Sequence, residues 1–283
     1  MNADVLSDVL NSVIKREAQI MLVKAPFGFG KSALRDAIRS FLTNSNEIDV
    51  KPIMVQQPEF SELQFYKDVG TALGIEFGKY WRDKFEVRRL LKDKLLKEDH
   101  GAHKLLIVDD AQFLHPDALF AVKYITDLER KGQKICTALL LGSPEIDRLL
   151  EKPTIAQVVD RMHLRRDLRP FSQRDTFEYV ARAMSYAKLE PVAGDYEFPT
   201  SAEAALAEAY RLEPFNPEAV AKAFDLTNGV PRYLRLLCAQ ALLIRAREAE
   251  GISERDRFRV LASVMERAWE TLLARQEAGV SLI

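Results

Sequence analysis

The stretch Ala25-Pro26-Phe27-Gly28-Phe29-Gly30-Lys31-Ser32 constrains this chain more than any other. An apolar run, Ile20-Met21-Leu22-Val23, leads into it, and a helix-compatible run, Ala33-Leu34-Arg35-Asp36-Ala37-Ile38, follows. Strand, glycine-bearing loop and helix in that order are what a phosphate-binding loop requires. Small residues let successive backbone N–H groups turn toward one anion, and the helix N-terminus adds its positive end there. In this register Lys31 reaches the β- and γ-phosphates of a nucleotide, and the Ser32 hydroxyl completes the shell of a Mg²⁺ ion. Ala25 stands where such loops usually begin with glycine, while Gly28, Gly30, Lys31 and Ser32 fall in register. The expected nucleotide-binding residues run from Ala25 to Ala33.

The chain has 283 residues, long for one domain. That length fits a core domain of roughly 170 residues and a smaller partner. A hydrophobic share of 47% and a charged share of 29% are those of an ordinary globular protein. The net charge of −1 excludes a global basic field, so any nucleic-acid contact must come from a local patch. Two cysteines, Cys136 and Cys238, lie far apart in apolar segments and are expected as free thiols in a reducing compartment. No basic leader precedes an apolar core at the N-terminus, and no apolar run is long enough to span a bilayer. A cytoplasmic location is the expectation.

Residues 4–16 place Val5, Leu6, Val9, Leu10, Val13 and Ile14 on one helical face. Strands are expected at 19–24 and 50–55, the second at a sheet edge because of Pro52. Helices are expected at 31–43 and 61–73, and at 84–97 with Phe85, Leu91 and Leu95 as its apolar stripe. Lys104-Leu105-Leu106-Ile107-Val108 then suits a strand buried on both faces, ending in Asp109-Asp110. Open α/β sheets bind ligands at that end of their strands. Asp109 fits the carboxylate that holds Mg²⁺ through water. Asp110 stands where ATPases of this kind usually have Glu to polarise the attacking water. Its side chain is one methylene shorter, so hydrolysis is expected to be slow or differently supported.

A helix at 116–130 and a buried strand at 134–141 follow, with Ser143 at the strand tip either near the γ-phosphate or in a simple turn. A short helix at 155–162 precedes a last, partly exposed strand. Arg161, Arg165, Arg166, Arg169 and Arg174 crowd that span, either as solvated surface residues or as the source of an arginine that reaches a neighbouring subunit's nucleotide. Arg161 is the first choice, with Arg165 or Arg166 behind it. Beyond Pro170 the periodicity is helical, with helices expected at 172–188, 201–212, 216–226, 231–249 and 254–275 and a linker at 191–199. Arg232 follows Gly229-Val230-Pro231 at a helix start, an unfavourable place for a cation unless an anion faces it. The organisation expected is an α/β core over 1–170 and an all-helical domain over 171–283.

Taken in order, Ala25–Ser32, Leu105–Asp110, Leu139–Ser143, Arg161 and Gly229–Arg232 resemble the Walker A, Walker B, sensor 1, arginine-finger and sensor 2 elements of the AAA+ ATPases. Three stretches are more pointed: Asp109-Asp110-Ala111-Gln112, Leu140-Leu141-Gly142-Ser143-Pro144-Glu145 and Gly229-Val230-Pro231-Arg232-Tyr233-Leu234. They are similar to motifs of the TnsC/TniB transposition regulators and of the ExeA-type ATPases. The resemblance implies a P-loop AAA+ core, a parallel five-stranded sheet with flanking helices, followed by a helical lid. It implies ATP and Mg²⁺ as ligands, with Asp110, Ser143 and Arg161 serving hydrolysis, Ser32 and Asp109 the metal, and Arg232 the nucleotide.

The implied activity is that of an ATP-dependent regulator of DNA transposition. Such a protein oligomerises as a ring or filament on duplex DNA and recruits or activates a transposase. Lys123, Arg130 and Lys131, or the span Lys79–Arg89, are candidates to track phosphates. The alternative is an ExeA-like ATPase that remodels or assembles a protein complex without DNA.

Overall fold

A computed structural model of the chain describes residues 3–45, 47–55, 61–97, 102–187, 212–248 and 259–278. The chain divides into two compact units, Asn2–Arg169 and Pro170–Ile283.

The first unit is built on a five-stranded sheet in the order β2-β3-β6-β1-β7. Its strands are β1 (Ile20–Lys24), β2 (Val50–Val55), β3 (His103–Val108), β6 (Cys136–Gly142) and β7 (Met162–Asp167), and every neighbouring pair is parallel. β3 and β6 are buried along their whole length. Side chains alternate between the two faces with the period of a strand. Ile20, Leu22, Leu106, Val108, Ala138 and Leu140 join one apolar layer, under α3 (Glu62–Ala72), α4 (Lys84–Lys97) and α5 (Pro116–Asp127). Met21, Val23, Leu105, Ile107, Leu139 and Leu141 join the other, under α1 (Ala3–Ile14) and α2 (Lys31–Asn44). Helices on both faces of a parallel sheet explain why these strands are continuous apolar runs. Pro52 lies on β2, an edge strand, as its missing N–H demands.

The expectations for α5 and α4 need correction. The helix expected to run to 130 stops at Asp127. Lys131 and Gly132 take positive φ, 51° and 77°. They form the two-residue turn that pairs β4 (Glu129–Arg130) with β5 (Gln133–Lys134) as a small antiparallel hairpin. Phe85 is not part of the α4 stripe: it is 78% exposed. Val87, Leu91 and Leu95, spaced four apart, form the buried face instead. Short helices α6 (Asp147–Leu150) and α7 (Ala156–Val159) lie between β6 and β7.

The second unit contains α8 (Gln173–Ala187), α9 (Pro217–Thr227), α10 (Pro231–Glu248) and α11 (Ala262–Glu277). Phe177, Phe215, Val220, Leu234, Leu237 and Met265 lie in its core. Ser172 and Asp175 cap α8 reciprocally, each accepting the other's backbone N–H. Asn216 caps α9 through Ala219 N at 2.8 Å, with Pro217 in the first turn. α9 ends where Asn228 and Gly229 both adopt positive φ, and Gly229 O accepts from Phe171 N at 2.8 Å. A helix opens at Ala262, after Val260 makes a bridge to Phe215 and Leu261 is extended as the N-cap, and residues 254–258 of the helix expected at 254–275 lie outside the described residues. The expected linker at 191–199 and residues 201–211 of the expected helix lie outside the described residues. Among the described residues no helix is long and apolar enough to cross a membrane.

Candidate nucleotide-binding site

The loop from Ala25 to Gly30 leaves the C-terminal end of β1, between β6 and β7, at the end of the strands where open α/β sheets bind ligands. Ala25 is buried, and its N–H donates to Gly142 O at 3.0 Å, which ties the loop to the tip of β6. Phe29 anchors the far side by packing against the α1–α2 layer. Phe27 is 71% exposed. Gly28 and Gly30 have φ of 88° and 97°, so a side chain at either would strain the turn. Gly30 is also the N-cap of α2, which therefore opens with no side chain over its free N–H groups.

Lys31 folds back over the loop. Its Nζ donates to Ala25 O at 2.6 Å and Pro26 O at 3.3 Å. Partial burial lowers its pKa, against the opposing charges of Asp110, Asp109 and Glu145. Those three carboxylates and Lys31 thus face one another electrostatically. Ser32 and Ala33 are exposed at the start of α2.

Asp109 is only 6% exposed. Its Oδ2 accepts from Arg35 Nη1 at 2.6 Å, and its Oδ1 caps Asp110 N at 3.0 Å. Arg35 is one helical turn beyond Lys31, so this bond holds the buried carboxylate against the start of α2. Asp110 is in the left-handed region, φ 53° and ψ 39°. Asp tolerates that conformation better than most residues. Gln112 Nε2 donates to Asp110 Oδ1 at 3.0 Å, and Ser143 N donates to Gln112 Oε1 at 2.9 Å. The Ser143 hydroxyl donates to Glu145 and lowers its pKa. Behind the loop, Lys24 at the end of β1 bridges Asp147 at 2.8 Å and Asp167 at 3.8 Å.

The fold therefore gathers the loop, Lys31, Asp109, Asp110 and Ser143 at one end of the sheet. A glycine-lined turn, a lysine and a buried carboxylate beside a helix N-terminus form a donor set that fits a triphosphate with Mg²⁺. Arg161 is not in this group. It precedes β7, where Ile20 N donates to its carbonyl at the opposite end of β1. Its side chain is held by Asp127 at 3.5 Å and Gln19 at 3.3 Å. Arg165 is exposed and Arg166 pairs with Asp8 at 2.7 Å. Arg232 belongs to the second unit, as the second residue of α10.

Most of the basic residues considered for DNA are engaged within the chain. Lys123 pairs with Asp127, Lys84 with Glu62, and Arg89 with Glu86 and Asp93. Arg130 donates to the carbonyls of Leu95 and Leu96. Lys131 sits in the hairpin turn, Lys79 over the Tyr80 ring and Arg88 over the Tyr124 ring.

Sequence reasoning assigned no role to Arg35, Gln112, Glu145, Lys24 or Asp147. For Arg35 a signal was present: one turn from Lys31, on the face that turns toward a neighbouring carboxylate. The contacts of Gln112 and Lys24 cross between strand tips and leave no periodic trace.

Comparison with known proteins agrees with this architecture. Residues 14–150 match the family described as AAA domain. The chain is 26% identical over 287 aligned residues to General secretion pathway protein A of Aeromonas hydrophila. That alignment covers 97% of this chain but 46% of the relative, so the chain spans about half of that protein's length. Among solved structures, the Aeropyrum pernix ORC2 protein in its ADPNP–ADP complexes has a TM-score of 0.61 at 15% identity, covering 95% of this chain and 66% of that one. The Aeropyrum pernix ORC1 protein in complex with DNA also has a TM-score of 0.61 at 15% identity, with 99% and 67% covered. At these identities the likeness is one of fold. Residues 14–150 are thus similar to AAA domains, and the five parallel strands with flanking helices share the fold of these ORC structures.

Proposed function

We propose that the chain binds Mg²⁺–ATP at the Ala25–Ala33 loop, hydrolyses it, and uses the nucleotide to control its own assembly on duplex DNA as a regulator of transposition. The observation that carries the nucleotide part is the convergence of Lys31, buried Asp109 and Asp110 on one loop at the sheet's C-terminal edge. Mg²⁺, when bound, supplies charge stabilisation at the phosphates. Ser32 and Asp109 would hold it. Lys31 exchanges its two carbonyl partners for phosphate oxygens, and Asp110 orients the attacking water. Ser143 belongs to the tip of β6, beside that water. Arg161 reaches a neighbouring copy's nucleotide from the other end of the sheet, after leaving Asp127.

The partner assignment rests on the Asp109–Gln112, Leu140–Glu145 and Gly229–Leu234 motifs, which resemble the TnsC/TniB regulators. The Aeropyrum pernix ORC1 protein in complex with DNA shares the fold, which is compatible with it. Of the basic residues in question, Lys84 and Arg89 are held by surface ion pairs worth about 0–1 kcal/mol each, so their exchange for DNA phosphates costs little. A second reading, assembly of a protein complex without DNA, is favoured by the 26% identity to General secretion pathway protein A over 97% of the chain.

Electron microscopy with a slowly hydrolysed ATP analogue, with and without duplex DNA, separates the two. Rings or filaments that need both ligands are expected. Assembly that needs nucleotide but ignores DNA favours the protein-complex reading. Monomers throughout remove the role given to Arg161.

A further inference from the structure

Two strand tips supply the chemistry of the site, and they are not neighbours in sequence. Asp110 follows β3; Ser143 follows β6. A catalytic carboxylate has to be aimed to within a fraction of an ångström, and Asp110 has a short side chain on a left-handed backbone. What aims it is Gln112. Its amide N–H donates to Asp110 Oδ1 at 3.0 Å while its carbonyl accepts from Ser143 N at 2.9 Å. The Ser143 hydroxyl in turn donates to Glu145, whose charge also faces Lys31. One side-chain amide therefore bridges the two strand tips.

We infer that Gln112 is a positioning residue for hydrolysis, coupling the Asp110 carboxylate to the Ser143 turn. The inference rests on the ATPase reading above. The chemistry of the amide makes it specific. Glutamine is donor at one end and acceptor at the other, and both ends are used. Asparagine has the same pair of groups on a side chain one methylene shorter and cannot span both partners from the same backbone. Glutamate has the length but only acceptors when ionised, so it faces Asp110 with like charge and keeps only the Ser143 contact. Protonated, glutamate again has one donor and one acceptor. A pH-dependent rescue follows from that difference.

The experiment uses the full chain and compares wild type with Gln112→Ala, Gln112→Asn and Gln112→Glu. Equilibrium binding of a fluorescent ATP analogue with Mg²⁺ is measured beside steady-state ATP turnover from pH 5.5 to 8.5. Binding is expected to stay within about threefold in all three variants, because Lys31 and the loop are untouched. Turnover at neutral pH is expected to fall at least tenfold, within the range of rate effects typical of misplaced acid–base groups. Gln112→Glu is expected to recover relative to wild type as the pH falls, while Gln112→Ala and Gln112→Asn do not. Turnover that survives in the alanine variant overturns the inference. So does a Gln112→Glu profile parallel to wild type, or a loss of binding that matches the loss of turnover. A wild-type chain that binds no nucleotide overturns the ATPase reading itself, and this inference with it.

Discussion

Arg35 Nη1 stands 2.6 Å from Asp109 Oδ2, with the two side chains only 16% and 9% exposed. A guanidinium is thus held on the carboxylate assigned to Mg²⁺. Removing one partner of a buried pair leaves an uncompensated charge, at a cost of about 3–5 kcal/mol. Arg35→Met is expected to lower the melting temperature by several degrees without Mg²⁺, with part of the loss restored by millimolar Mg²⁺. Thermal unfolding with and without the metal checks this. Equal loss in both conditions separates Asp109 from any metal.

Lys31 is satisfied by two loop carbonyls, so its loss is expected to spare the fold while removing the phosphate contact. Lys31→Ala should weaken nucleotide binding by two orders of magnitude or more, about 3 kcal/mol, at a nearly unchanged melting temperature. Titration with a fluorescent ATP analogue provides the measurement. Wild-type affinity in the variant removes the loop from the site.

Asp110 takes a left-handed backbone that Asp and Asn share as a preference, whereas longer side chains accept it less readily. Asp110→Asn is expected to fold as well as wild type and to lose turnover by about 100-fold or more, as befits a missing general base. Asp110→Glu restores the residue usual in such ATPases but is expected to lower both stability, by about 1 kcal/mol, and turnover. Unfolding curves and steady-state rates on both variants test this. A faster Asp110→Glu enzyme shows that the missing methylene, not the backbone, limits the rate.

The glycine-bearing loop, the acidic pair at the end of β3 and the sheet with helices on both faces were legible in the sequence because each leaves a local pattern. A glycine-bearing turn between an apolar run and a helix is one such pattern, and a four-residue apolar stretch ending in Asp109-Asp110 is another. The bridge through Gln112 was not legible, since it depends on β3 and β6 becoming neighbours across 30 residues of sequence. Phe85 misled for a related reason: an aromatic in an amphipathic stretch suggests core, but Val87 sets the face that α4 buries. The hairpin at Lys131-Gly132 had a turn signal in its glycine, overridden by the helical pattern before it.

His103 offers a stability test away from the site. It opens β3, is 1% exposed, and its Nε2 lies 2.9 Å from Thr137 Oγ1. The Thr137 hydroxyl donates to Ala18 O, so the histidine is the donor to Thr137. Burial first, then the charge of Arg16 and Lys104, push its pKa down from 6.5 to about 4, against Asp49 and the Lys134 backbone. Between those values the unfolded chain binds the extra proton. Stability is therefore full above pH 6.5 and is lost as the pH falls toward 4, by about 3 kcal/mol. Denaturant unfolding at pH 7.5 and 4.5 is expected to show this drop, reduced in His103→Gln. An unchanged pH dependence in that variant assigns the acid sensitivity elsewhere.

In the second unit, a Cβ on Gly229 would lie 2.0 Å from Phe171 O, and its φ is +67°. Gly229→Ala is expected to cost more than about 2 kcal/mol, since strain and overlap add. Gly132→Ala, with φ +77° but nothing within 4 Å, is the control and is expected to cost about 1 kcal/mol. Urea unfolding of the two variants separates crowding from backbone strain. Equal costs would mean that the Phe171 strand of backbone yields.

Pro52 on β2 has a meaning beyond the single strand. One rim of the sheet carries a residue with no N–H to offer a newcomer. The other rim, β7, ends in Arg165, Arg166 and Asp167, all outside the core. Neither margin invites another strand to zip on, which guards the chain against runaway polymerisation through its backbone. Side chains on the faces of the sheet and its helices, not strand edges, are then the surface this unit offers to other copies.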